Sequence, residues 1–155
     1  MSESIETRLK SLGVDLPESG PAAAGNYVPW VVTGALVHIS GQISQANGAL
    51  ITGRLGEDMD VDAGAKAAKA CAISLLTQLK FACGGDLSRV ARVVKLNGFV
   101  SSTPDFTDQP KVINGASDFF VEVFGDAGRH ARSAVGVAAL PLGVAVEIDG
   151  VFEIK

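Results

Sequence analysis

The sequence predicts an α+β fold, with one mixed β-sheet covered by two helices in a single compact domain. Three observations carry this expectation. Two long stretches repeat their apolar residues at three- and four-residue intervals, as a helix with one buried face requires. Val-rich runs flank both stretches and read as strands, giving the order β-β-α-β-α-β-β after a short N-terminal helix. Finally, 155 residues that are 47% hydrophobic, with a mean hydropathy of +0.30, supply material for one core without a dividing linker.

In chain order, Ile5, Leu9 and Leu12 fall at helical spacing, and Gly13 can end the turn before residues 17–25 break regularity. Residues 1–25 are thus expected to form a docking helix and loop, and residues 26–155 the domain itself. Residues 27–32 and 36–42 are β-rich and separated by Thr33-Gly34, which fits a hairpin. Pro29 points to an edge position or an irregular start. Asn47-Gly48 marks a turn. Residues 48–54 imitate the opening of a phosphate-binding loop but lack its Lys-Ser/Thr, so a surface turn is expected. Asp58, Asp60 and Asp62 imitate a calcium loop. Gly64 comes one place late for it, and Lys69 stands where a bidentate Glu is needed, so the acidic cluster reads as a helix cap.

From about residue 62 to 83, Ala68, Cys71, Ala72, Leu75, Leu76 and Leu79 define a helix that Gly84-Gly85 stops. Cys71 lies on its apolar face and reads as a packed thiol. Residues 90–100 alternate as a strand with two unequal faces, and Thr103-Pro104-Asp105 ends it. Val112, Ile113, Ala116, Phe119, Phe120 and Val123 mark a second helix over residues 109–124, with Pro110 tolerated in its first turn and Gly125 as its stop. Each helix can cover one face of the sheet. Two alternating runs around Pro141-Leu142-Gly143 then suggest a largely buried hairpin from Arg132 to Glu147.

Arg132 is the only charge in that stretch before Glu147. A guanidinium beside so apolar a strand needs an anion, and its planar fork fits either a small carboxylic acid or a protein carboxylate. The net charge of −4 gives no basic footprint for nucleic acid. Cys71 and Cys83 form no disulfide framework or Cys/His cluster, which points to a reducing cytoplasm and no structural metal. The N-terminus has no apolar signal core, and residues 133–146 are too short to span a membrane.

Tyr27, then Ser40-Gly41-Gln42 thirteen residues later, then Arg132-Ser133-Ala134-Val135, Leu140-Pro141 and Val146-Glu147-Ile148 occur in an order and spacing that resembles the Rid family. These are the YjgF-like reactive imine and enamine deaminases, and the resemblance runs from about residue 27 to 154. It implies a chorismate-mutase-like fold, a homotrimer with ligand sites in the clefts between subunits, and no metal or organic cofactor. It also implies residue roles. The carboxylate-binding arginine maps to Arg132, the water-positioning glutamate to Glu147, the cleft tyrosine to Tyr27 and the Ser-Gly strand end to Ser40 and Gly41. Asn114 lies near the family's helix asparagine, one residue out of step. Ala134 stands where many members have Cys, which leaves a backbone contact.

The implied activity is hydrolysis of 2-imino or enamino acids to 2-keto acids and ammonia. The implied partners are a small carboxylate-bearing substrate and further copies of the chain, with no nucleic acid and no membrane. Two other classes stand beside this reading. One is a trimeric binding protein for carboxylate metabolites without turnover, and the other is an endoribonuclease, against which the acidic charge and only two histidines argue. Ser40 has no visible His/Asp partner for nucleophilic chemistry; His38 reads as a strand-face residue and His130 as an isolated loop residue beside the site. In a hairpin register, Glu147 faces Val137, roughly 16 Å along the strand from Arg132. A neighbouring subunit would then have to complete the site.

Overall fold

The computed structural model describes residues 3–155. The first helix, α1 (Ile5–Ser11), starts where the Ser4 hydroxyl accepts the Thr7 N–H at 3.1 Å, and Leu9 and Val14 behind it enter the core. Strands β1 (Trp30–Thr33) and β2 (Leu36–Ile43) form the expected first hairpin, turning through Gly34 at φ +58°. The Pro29 carbonyl, just outside β1, accepts the Ser40 N–H at 2.9 Å. The Asn47-Gly48 turn joins a small additional pair, β3 (Gln45–Ala46) and β4 (Ala49–Leu50).

Helix α2 (Val61–Ala82) begins at Asp60, whose carboxylate accepts the Ala63 N–H at 2.8 Å, so the acidic cluster does cap a helix. Strand β5 (Val90–Ser101) and helix α3 (Gln109–Phe124) follow. Pro110 lies in the first turn of α3, and Gly125 at φ +64° ends it. The last strands are β6 (Ala131–Val137) and β7 (Val146–Ile154). No helix among the described residues is long and apolar enough to cross a membrane.

The five-stranded sheet has the order β1-β2-β7-β5-β6, with only β5 and β6 parallel. This corrects the expected hairpin between Arg132 and Glu147. The two runs are strands, but β5 lies between them: Arg132 pairs with Leu96, while Glu147 pairs with Phe99 and Ile43 rather than Val137. The physical reason is the buried β5, which offers a hydrogen-bonding edge on each side. The connection through α3 makes β6 its parallel neighbour, as a crossover helix requires.

Both large helices pack on the same face of the sheet. Gly98 of β5 faces Ile113 of α3 so closely that a Cβ there would meet it at 2.6 Å, and Cys71 of α2 donates to the Val146 carbonyl at 3.5 Å. Gly64 of α2 lies against Val112 of α3, which sets the helices side by side. Leu96, Val100, Val146, Ile148 and Phe152 fill the space beneath them. Among the described residues no helix covers the opposite face. The N-terminal strap crosses α2 near β2, where the buried Gln78 amide donates to the Pro21 carbonyl at 2.8 Å.

Candidate functional site

Alternation along β6 and β7 decides where the site residues point. Val146 and Ile148 are fully buried beneath the helices, so Glu147 between them faces the open side. Arg132 shares register with the buried Leu96 and reaches α3, so it faces the helix side. Two strand spacings and three residues of register put their backbones roughly 14 Å apart. Within one chain, the seven residues implied by the resemblance therefore fall into two groups.

The first group is built on α3 and β6. Arg132 Nη1 donates to Asn114 Oδ1 at 2.8 Å and to Ser117 Oγ at 3.1 Å, and Nη2 donates to the Pro110 carbonyl at 3.4 Å. Ala134, two residues on, packs against the core beside them. Both Nη1 hydrogens are thereby used, as is one on Nη2. Among the described residues the Nε–H and one Nη2–H have no partner, and Nε with Nη2 makes up the side edge of a guanidinium, the edge suited to gripping a carboxylate with parallel bonds. No Asp or Glu among the described residues pairs with Arg132, so the protein-carboxylate option left open above is not the one adopted here.

The second group surrounds a cleft of about 1200 Å³ between the N-terminal strap, β2 and α2, whose lining includes Tyr27, Ser40, Gly41 and Glu147. Burial and the nearby Asp149 raise the Glu147 carboxyl above its ordinary range. Asp149 itself accepts from Asn97 at 2.8 Å. Gly41 gives the Glu147 side chain its room. The Ser40 hydroxyl is engaged in donating to the Val28 carbonyl at 2.7 Å, which makes it a fastening for the strand end. The Tyr27 hydroxyl accepts the Ala24 N–H at 3.1 Å, keeps its own proton to donate, and sits on a ring that is half exposed.

Sequence reasoning missed Ser117, and it treated His130 as isolated. Pro110, Asn114 and Ser117 follow one another at four- and three-residue steps, which puts them on one helical face; that spacing was the available signal. His130 Nε2 lies 2.9 Å from Ser117 Oγ, and Nδ1 lies 2.6 Å from the Gly128 carbonyl. His38 is an exposed strand-face residue, as expected. Cys71 is fully buried, and burial raises its thiol far out of the reactive range, so it is a packed core residue. The described residues contain no cluster of metal-ligating side chains.

This mixed sheet, with both large helices on one face, defines an α+β protein of the chorismate-mutase-like class. The family model described as "YjgF/chorismate_mutase-like, putative endoribonuclease" matches residues 6–150, and the chain belongs to that family. The Trypanosoma cruzi protein TCP17 is 49% identical over 153 residues, covering 97% of this chain and 94% of that one. A crystal structure from Agrobacterium tumefaciens is also 49% identical, with a TM-score of 0.90, and the match covers 97% of this chain and 92% of that one. The Salmonella typhimurium 2-iminobutanoate/2-iminopropanoate deaminase is 34% identical over 135 residues, covering 86% of this chain and 91% of that protein.

Proposed function

We propose that this protein hydrolyses reactive 2-imino acids to 2-keto acids and ammonia, with enamines tautomerising to imines first. The observation that carries the reading is the guanidinium of Arg132. Three neutral acceptors hold it in place, and the edge left free fits a carboxylate. A 2-imino acid has its electrophilic carbon next to that carboxylate. Fixing the acid therefore places the carbon for attack.

Glu147 orients the water. As the water oxygen bonds to C2, Glu147 takes one of the water's protons and passes it to the imine nitrogen, which gives a carbinolamine. Glu147 then carries the hydroxyl proton to that nitrogen as the C–N bond breaks, so ammonia leaves and the keto acid remains. A carboxyl raised by burial suits this exchange, because it accepts and returns a proton more readily than an ordinary carboxylate near neutral pH. The chemistry draws on no metal or organic cofactor. Tyr27 donates to the substrate from the cleft wall. Asn114 steadies Arg132, and Ala134 offers its backbone beside it.

Because Arg132 and Glu147 face opposite sides of one sheet, the working site pairs the Arg132 side of one subunit with the Glu147 side of another in a homotrimer. Exposed Val31, Val32 and Val135 supply apolar surface for that assembly. Free buried cysteines suit a reducing compartment such as the cytoplasm. The endoribonuclease in the family description fits this chain less well. Net charge is −4, and both ring nitrogens of His130 are tied, to Ser117 and to a backbone carbonyl.

The test is stopped-flow decay of an imine generated in situ by an amino-acid dehydratase or oxidase. Wild type accelerates decay and releases ammonia, while Arg132→Ala stays folded and loses the acceleration. Equal decay with both proteins would replace catalysis with the non-catalytic, carboxylate-binding reading.

A further inference from the structure

The hydrogen bonds behind Arg132 continue past the guanidinium. His130 Nδ1 lies 2.6 Å from the Gly128 carbonyl, an oxygen that can only accept, so Nδ1 carries the proton. In the neutral ring Nε2 is then an acceptor, and it takes the Ser117 O–H at 2.9 Å. With its proton directed there, Ser117 Oγ turns a lone pair to Arg132 Nη1 at 3.1 Å. The series is Gly128 carbonyl, His130, Ser117, Arg132, and each donor has one acceptor.

We propose that Ser117 and His130 are positioning residues, with the neutral Nδ1–H form of His130 setting the Ser117 hydroxyl so that Arg132 presents its free edge to a carboxylate. This rests on the carboxylate-binding reading of Arg132. Neither residue touches the substrate; both act through the guanidinium.

The surroundings of His130 favour the neutral ring. From α3 come Ser117 and the edge-on ring of Phe120, with centroids 6.4 Å apart; from the turn at residues 125–128 comes the Gly128 carbonyl. From β6 comes the charge of Arg132. On the flanks, Arg129 is paired with Asp126 at 3.3 Å, Arg92 of β5 donates to the Arg129 carbonyl, and Asp118 and Glu122 of α3 are exposed. No carboxylate among the described residues bonds the ring. Burial first, and the Arg132 charge as well, hold its pKa below 6.5 against the raising effect of the Gly128 bond. Protonation makes Nε2 a donor. Ser117 Oγ then faces two donors, and its own proton loses its acceptor.

Two measurements test this with the full-length protein. Nitrogen-15 NMR of the imidazole at pH 7.5 is expected to show the Nδ1–H tautomer, and an Nε2–H tautomer overturns the proposal. Binding of 2-oxobutanoate, a stable 2-keto acid, is then titrated from pH 5 to 8. At pH 7.5, Ser117→Ala and His130→Phe bind about tenfold more weakly, the size expected for one lost hydrogen bond to a charged group. Ser117→Thr, which keeps the hydroxyl, binds like wild type. Wild-type affinity falls toward that of His130→Phe as pH drops below 6.5, and the variant lacks this inflection. If Arg132→Ala abolishes binding while Ser117→Ala does not weaken it, the relay is wrong and the carboxylate site stands. If Arg132→Ala binds as wild type does, the carboxylate reading itself fails. Intact binding without imine turnover removes only the catalytic assignment.

Discussion

Gly41 of β2 lies against the carboxyl group of Glu147: a Cβ built at Gly41 comes within 3.1 Å of Glu147 Cδ and 3.3 Å of its Oε2. That is too close by a few tenths of an ångström, and the partner is the end of a side chain that can swing aside. Gly41→Ala is therefore expected to leave the fold intact and displace the carboxyl proposed to orient the water. The melting temperature stays within roughly 2 °C while kcat/KM for imine hydrolysis falls by about tenfold or more, since sub-ångström misplacement is costly in catalysis. Unchanged kcat/KM in a folded Gly41→Ala protein removes Glu147 from the mechanism.

The titration of Glu147 also bears on stability. Burial raises its folded-state pKa, with Asp149 adding to the effect, so folding favours the protonated form. The sign follows: the associated stabilisation is complete below the unfolded value near 4.5 and is lost as pH rises through the folded value. Above the folded value the wild type has lost it, whereas Glu147→Gln carries a neutral side chain at every pH. The variant is expected to lose turnover and melt roughly 1–2 °C higher than wild type at pH 7, a small gain because solvent screens a half-exposed group. The difference closes below pH 4.5. A variant that melts lower at pH 7 contradicts the assigned cause of the shift.

Much of the fold was legible because local patterns carried it. The apolar spacing of Leu75, Leu76 and Leu79, and of Val112, Ile113, Ala116 and Phe119, marks each helix, and Asp60, Gly84 and Gly125 punctuate them. Alternation at Val146, Glu147 and Ile148 likewise tells which side of a strand is buried. It does not tell which strand lies alongside. The pairing of Arg132 with Leu96 and of Glu147 with Phe99 depends on β5 entering between two runs close together in sequence, and chain order alone favoured a hairpin there. The sequence already separated Arg132 from Glu147 along the chain, but that β5 stands between their strands was hidden for the same reason. Ser117 was hidden differently: a serine at mid-helix is unremarkable until Arg132 folds back along α3 to meet it.

The side-by-side packing of the helices has its own test. A Cβ at Gly115 of α3 would run into the Ala65 carbonyl of α2, which is backbone and cannot turn away. Gly115→Ala is thus expected to push the helices apart and destabilise the protein by roughly 1–3 kcal/mol, despite the better helix propensity of alanine. Urea unfolding measures it. Stability equal to or above wild type shows that the helices do not approach as closely as described.

Sharing of the site between subunits can be tested by complementation. Arg132 and Glu147 face opposite sides of one sheet, so the proposed site draws them from different chains. Arg132→Ala and Glu147→Gln homotrimers should each be inactive. Mixed in equal amounts and allowed to exchange subunits, they form trimers in which some clefts pair the intact Arg132 of one chain with the intact Glu147 of the next. With random exchange around a cyclic trimer, about one cleft in four is intact, and about a quarter of wild-type activity should return. Recovery requires exchange, so mass spectrometry of the mixed oligomers must show hybrid trimers. Hybrids without activity would place both residues in one chain's site, whereas a chain that stays monomeric in light scattering would remove the shared cleft altogether.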